Sequence, residues 1–144
     1  MKTVNVLLVE DNEADILLTS EILYQAGVEN EIMVARDGRE AIDYVTKQNK
    51  FVNAITPDLV LLDINLPKTD GKEVLYFIRN NVPGKCIPVI MYTSSTLESD
   101  KLFCYENKAD LFLVKPGLIE DFDKVVLAIK EFINKINIEI PVEN

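Results

Sequence analysis

The run Leu59-Val60-Leu61-Leu62 passes directly into Asp63, with no polar residue inside it. A strand that is apolar at every position, rather than at alternate ones, must be covered on both faces. That is the situation of a central strand in a parallel sheet flanked by helices. Other short apolar runs also stop abruptly on polar residues. Val4 to Val9 ends at Glu10-Asp11, Ile87 to Tyr92 at Thr93-Ser94-Ser95, and Leu111 to Val114 at Lys115-Pro116. A fifth strand, Glu31 to Ala35, closes on the turn signal Asp37-Gly38.

Between these runs the apolar period lengthens to that of a helix. Ala14 to Gln25 is predicted as a helix with Ala14, Leu17, Leu18 and Ile22 on its apolar face, Asp11 or Asn12 as N-cap and Gly27 as its stop. Further helices are predicted over Arg39 to about Gln48, Lys72 to Asn80 and Glu98 to Glu106. The last helix has the clearest stripe: Phe122, Val125, Val126, Ile129, Phe132, Ile133 and Ile136. Asn49 to Pro57 reads as an irregular surface loop, and 137–144, with Pro141, as an extended tail. Five strands alternating with five helices define an α/β fold, a doubly wound parallel sheet with right-handed crossovers and helices on both faces. The 144 residues suit one domain over 1–136, followed by the tail.

In such sheets ligands bind outside the carboxyl ends of the strands. Glu10, Asp11, Asp63, Thr93 and Lys115 should therefore converge, bringing three carboxylates, a hydroxyl and an ammonium together. Taken singly, each has a plainer reading: a solvated helix start, a loop cap, strand filler or a surface lysine. Taken together they leave an excess of negative charge that a hard divalent cation, Mg²⁺, would offset. A carboxylate beside such a cation can accept a phosphoryl group as an acyl phosphate, with Lys115 and Thr93 holding the new phosphoryl oxygens. The chain has no histidine, which removes His-based triads, His-ligated metals and any role as a phosphohistidine donor. Its 15 basic and 24 acidic residues give a net charge of −9, which disfavours duplex DNA as a ligand.

These pieces, V-E-D-N at Val9 to Asn12, L-L-D-I-N-L-P at Leu61 to Pro67, D-G at Asp70-Gly71, Y-T-S at Tyr92 to Ser94 and V-K-P at Val114 to Pro116, resemble the receiver domains of two-component response regulators over Val4 to Ile136. The resemblance implies a flavodoxin-like, CheY-like five-stranded sheet in the order 2-1-3-4-5. It implies that Asp63 is the phosphoacceptor and that Asp11 ligates Mg²⁺ directly. Glu10 would act through metal-bound water and Asn65 through its backbone carbonyl. Thr93 would be the hydroxyl that moves onto the phosphoryl group, Lys115 its lysine partner, and Phe112 the aromatic switch residue. Lys115-Pro116 matches a bond that is cis in receivers. Where many receivers have Gly before the fifth strand this chain has Asn107-Lys108, and Asn tolerates a left-handed turn. Phe112 could equally be core, and Phe103 and Tyr105 could be core or partner surface.

A finer resemblance is to the single-domain regulators paired with phytochrome-type histidine kinases, carried by Lys47 to Pro57, Ile87 to Ile90 and Phe122 through Pro141. It implies a sensor histidine kinase or a histidine phosphotransfer protein as partner. It also suggests a homodimer involving the apolar tail residues Ile138, Ile140 and Val142. The expected role is a stand-alone signalling module, not an enzyme, with neither nucleic acid nor membrane as partner. A haloacid-dehalogenase type phosphatase would need a second acid at Asn65 and room for a cap domain. A phosphorylation-independent interaction module would be expected to have lost Asp63, Thr93 or Lys115. Cys86 and Cys104 have neither CxxC nor metal spacing and read as thiols of a reducing compartment. The apolar run after Met1 is too short for a signal core or a membrane span, so a cytoplasmic location is expected.

Overall fold

The computed structural model describes residues 4–29, 32–81 and 87–139. In chain order the elements are β1 (Val6–Val9), α1 (Glu13–Gln25), β2 (Met33–Ala35), α2 (Gly38–Thr46), β3 (Leu59–Leu62), α3 (Gly71–Asn81), β4 (Val89–Thr93), α4 (Glu98–Glu106), β5 (Leu111–Val114) and α5 (Ile119–Glu139), with one 3₁₀ turn at Asn49–Phe51. All strand pairs are parallel, in the order β2-β1-β3-β4-β5. This is the flavodoxin-like arrangement that the resemblance implies.

Strand alternation divides the core between the two faces of the sheet. Leu7, Val9, Val60, Leu62, Val89 and Met91 face α2, α3 and α4, with Tyr44, Leu75, Ile78 and Cys104 packed against them. Val6, Leu8, Leu59, Leu61, Ile90 and Tyr92 face α1 and α5, where Ile22, Leu23, Val125, Ile129, Ile133 and Ile136 meet them. β1 and β3 are buried at all four positions, whereas edge strand β5 is half-buried or exposed throughout. Each fully buried aliphatic side chain contributes about 1.5–3 kcal/mol. The central strands therefore anchor the frame from which the site projects.

The predicted apolar face of α1 is incorrect. Ile16, Thr19, Ile22 and Leu23 are buried, while Leu17 is 71% exposed and Leu18 and Tyr24 are also exposed. The helix is apolar on two sides, so the sequence pattern alone did not identify the inner one. Its ends follow expectation. Asn12 accepts from the Asp15 amide, and Gly27, at φ +101°, closes the helix with Val28 N–H donating to the Leu23 carbonyl. At the turn into β5, Lys108 rather than Asn107 takes the left-handed conformation (φ 67°), because Asn107 is held by its own side-chain bond to the Phe103 carbonyl.

The final helix continues to Glu139, past the predicted boundary at Ile136, so Ile138 is helical. Glu31, Cys86, Ile140, Pro141 and Val142 lie outside the described residues. The Lys115–Pro116 bond is trans, and no cis peptide occurs among the described residues. The two isomers of an X–Pro bond differ by only about 0.5–1 kcal/mol. Cys104 is buried as a free thiol, and burial pushes its pKa up to about 11. Among the described residues no helix is long and apolar enough to cross a membrane.

Candidate functional site

The carboxyl ends of β1, β3 and β4 and the residue following β5 supply the site. Glu10 follows β1 and is 1% exposed; its Oε2 accepts from the amides of Asp11 (3.1 Å) and Asn12 (3.2 Å). Asp63 follows β3 and is 5% exposed; its Oδ1 accepts from the Asn65 amide at 3.2 Å. Lys115 follows β5, and its own amide is fixed by the Thr93 carbonyl at 2.8 Å. Its ammonium donates to Glu10, to Asp63 Oδ2 at 2.9 Å and to Asp15 Oδ2 at 3.0 Å. Three separate segments are thereby joined at one nitrogen.

The position of Asp63 depends on close backbone packing. Gly71, the first residue of α3, donates to the Ile64 carbonyl at 2.9 Å, and a Cβ built on it would fall inside the shell of the Asp63 carbonyl oxygen. A Cβ at Gly38, the first residue of α2, would likewise collide with the Thr69 carbonyl. The loop that starts at Asp63 is thus held between two helix starts, each of which requires glycine there. This gives both Asp-Gly pairs of the sequence a role that a turn signal alone did not reveal.

Electrostatically the centre is unbalanced, with three carboxylates around one ammonium. Burial pushes the Glu10 carboxyl above its ordinary 4.5, and the ammonium and amides that oppose this do not cancel it. Burial works against the charge on Lys115, but Glu10, Asp63 and Asp15 outweigh it and hold the ammonium above the ordinary lysine range. A surplus of buried negative charge on hard oxygen donors is the chemistry a divalent cation satisfies. In the arrangement described here, however, the carboxylates are gathered on Lys115. Among the described residues no three acidic, His or Cys side chains are spaced to hold a metal ion.

Of the predicted residues, Glu10, Asp63 and Lys115 meet. Asp11 is exposed, and its carboxylate has no ion pair or hydrogen bond among the described residues. Asn65 is exposed beside Asp63, tied to it through its amide. Thr93 is the last residue of β4, fully buried, with its Oγ1 accepting from the Ser95 amide at 3.3 Å. Strand alternation puts Thr93 on the same face as Met91, opposite which Phe112 sits in register. Phe112 is partly buried against the core of that face. Its amide donates to the Tyr105 hydroxyl at 3.2 Å, so Tyr105, 42% exposed, reaches from α4 to the edge strand.

Asp15 was missed from the sequence. It lies one turn into the helix that begins straight after Glu10-Asp11-Asn12, and that offset from a strand end was the available signal. Tyr92 is a second addition. It is 2% exposed, burial pushes its hydroxyl up to about 12, and the Thr19 side chain, one turn beyond Asp15 on α1, works against that rise.

A family model described as the response regulator receiver domain matches residues 6–130. The response regulator Rcp1 of Synechocystis sp. is 39% identical over 127 residues, covering 88% of this chain and 86% of Rcp1. A crystal structure of the Mn²⁺-bound form of Rcp1 superposes with a TM-score of 0.82 over 90% of this chain and 93% of that one. The phosphorylated cyanobacterial phytochrome response regulator RcpA superposes at 0.83 with 38% identity, over 91% and 94%. The probable methanogenesis regulatory protein FilR2 of Methanothrix harundinacea is also 38% identical, over 88% of this chain and 81% of its own.

Proposed function

The chain belongs to the response regulator receiver domain family, and from that membership we propose that it is a stand-alone phosphoryl-accepting switch with Asp63 as the acceptor. The observation that carries this reading is the single ammonium of Lys115 shared by Asp63, Glu10 and Asp15 at the carboxyl ends of the strands.

In the proposed reaction a carboxylate oxygen of Asp63 attacks phosphorus while the bond from phosphorus to a histidine nitrogen of the donor breaks. The electron pair of that bond stays with the imidazole. Lys115 orients the Asp63 carboxylate before transfer and then pairs with a phosphoryl oxygen. The Thr93 hydroxyl turns toward the phosphoryl group, and Phe112 moves into the space it leaves. Because Phe112 has no hydroxyl, the change is read by packing rather than by a hydrogen bond. Glu10, Asp11, Asp63 and the Asn65 carbonyl would hold Mg²⁺. When bound, the ion neutralises charge on the phosphoryl oxygens during transfer.

The likeness to RcpA, a cyanobacterial phytochrome response regulator, supports a phytochrome-type histidine kinase, directly or through a phosphotransfer protein, as the donor. The homodimer expected through Ile138, Ile140 and Val142 is kept in this reading, with exposed Leu102, Tyr105, Val114 and Leu118 on α4, β5 and the following loop as a further apolar surface available to it. We place the protein in the cytoplasm, where a free buried thiol such as Cys104 is ordinary.

The test is intact mass spectrometry after incubation with acetyl phosphate, with and without Mg²⁺, on the wild type and Asp63→Asn. One added phosphoryl group that requires both Mg²⁺ and Asp63 is the expected result. Mg²⁺ binding without an adduct would restrict the acceptor to protein donors. Neither adduct nor metal binding would overturn the reading.

A further inference from the structure

A second polar chain leaves the site at Thr93, and its further members, Ser95, Asp100 and Lys72, serve none of the roles above. The Ser95 amide donates to Thr93 Oγ1 at 3.3 Å. The Ser95 hydroxyl donates to Asp100 Oδ2 at 2.6 Å and accepts from the Leu97 amide at 3.4 Å. Asp100, in the first turn of α4 and 8% exposed, gives its other oxygen to the Lys72 ammonium at 2.6 Å. Lys72 follows Gly71, the residue seated against the Asp63 carbonyl, and the Lys72 ammonium also lies 5.5 Å from the Phe103 ring centroid. Followed end to end, the contacts run from the Asp63 backbone through Gly71, Lys72, Asp100 and Ser95 to the Thr93 hydroxyl. They form a closed path between the two loops that must cooperate in the reaction.

A cap for α4 does not account for this path. The N-cap of α4 is Leu97, which has no side chain to offer, and a cap would not require a lysine from a different helix. Burying a carboxylate is costly unless it is paired and hydrogen-bonded, and Asp100 meets both conditions with partners from two elements. Holding Ser95 in place fixes the direction in which its amide points, and that amide occupies a lone pair of Thr93. Turning the Thr93 hydroxyl toward a phosphoryl group therefore works against the Ser95 contact and, through it, against the Asp100–Lys72 pair.

We propose that Asp100, bridged to Lys72 and Ser95, is a positioning residue that holds Thr93 in its resting orientation and so biases the molecule against the phosphorylated arrangement. The proposal rests on the receiver reading for its functional consequence but not for its structural one. Asp100→Asn, Lys72→Met and the double variant are compared with wild type. Steady-state phosphorylation at sub-saturating acetyl phosphate and Mg²⁺ is measured by intact mass. The Thr93 and Ser95 amide resonances are followed with no donor present.

Loss of the bridge lowers the cost of leaving the resting state. Each single variant is expected to reach half-phosphorylation at about fivefold less donor, and the double variant to do no more than either single one. Lys72→Arg, which keeps the ion pair, is expected to behave as wild type. In the absence of donor the Thr93 and Ser95 signals should shift together in both single variants. Additive effects, an unchanged donor requirement or stationary Thr93 and Ser95 resonances would each overturn the proposal. Failure of the wild type both to form any adduct and to bind Mg²⁺ would instead count against the phosphoacceptor reading. The resonances would then decide the structural claim alone. Lys72, whose side chain is 32% exposed, provides a variant independent of the buried Asp100 if the latter's substitution impairs folding.

Discussion

Two lysines in this molecule reach buried carboxylates, and their surroundings differ. Lys72 meets one, Asp100, whose remaining oxygen is taken by a serine hydroxyl, so charge and hydrogen bonds are balanced. Lys115 meets two buried ones, Glu10 and Asp63, and the half-buried Asp15, and burial still leaves Glu10 above its ordinary pKa. Both pairs join elements distant in sequence, but only the second concentrates more negative charge than it neutralises. A fold stabilises itself with pairs of the first kind. Crowding of the second kind persists where a further cation or a transferred group completes the site.

The contrast is broken most forcefully by Lys115→Met, which leaves three carboxylates with no cation. The expected loss of stability is about 3–5 kcal/mol, read by chemical denaturation at neutral pH. Millimolar Mg²⁺ should recover part of it. Gly71→Ala tests the backbone seat beneath the crowded centre. The contact is with a carbonyl that cannot swing aside, so a destabilisation of about 1–3 kcal/mol is expected, together with slower labelling of Asp63 by acetyl phosphate.

Neutralising one acid in each region sharpens the comparison, because the two effects have opposite signs. Lys72 and Ser95 hold the Asp100 carboxyl below its ordinary 3.8. Its contribution to stability is therefore present above that pH and lost as pH falls through the lower folded value. Asp100→Asn should cost about 1–2 kcal/mol at pH 7 and progressively less in acid. Glu10 has its pKa raised, so its ionisation works against the fold as pH rises through 4.5 and above. Glu10→Gln should melt higher than wild type at pH 7, with the gap closing toward pH 4. The smallest expectation concerns Cys104. With its pKa pushed up to about 11 and no solvent exposure, it should resist alkylation at pH 8 until the chain unfolds, as read by peptide mapping.

Much of this was legible because strand ends are marked in sequence by a change from apolar to polar. Glu10, Asp63, Thr93 and Lys115 each stand at such a change, and the parallel topology brings those ends to one edge. What was illegible involved contacts whose partners lie on other elements. Asp15 resembles any acid in a first helical turn until Lys115 arrives from the far end of the chain. The inner face of α1 could not be chosen, since Leu17 and Leu18 are as apolar as Ile22 and Leu23. Asp11, expected from its type and position to be a metal ligand, stands outside the cluster: its carboxylate is exposed, and Lys115 reaches Glu10, Asp15 and Asp63 instead.

The two glycine seats also carry a consequence for timescale. The loop that starts at Asp63 lies between Gly38 and Gly71, with backbone close on both sides, so it cannot shift without opening the starts of two helices. The Gly71 amide, donating to Ile64, should accordingly exchange with solvent far more slowly than the Ser95 amide, which is held only by a long bond to a side-chain oxygen. The Asp63 loop would then act as a fixed reference, leaving rearrangement to the segment after β4. On the proposed role of Asp63, a signal arriving there would leave through the segment after β4, away from the two glycine seats.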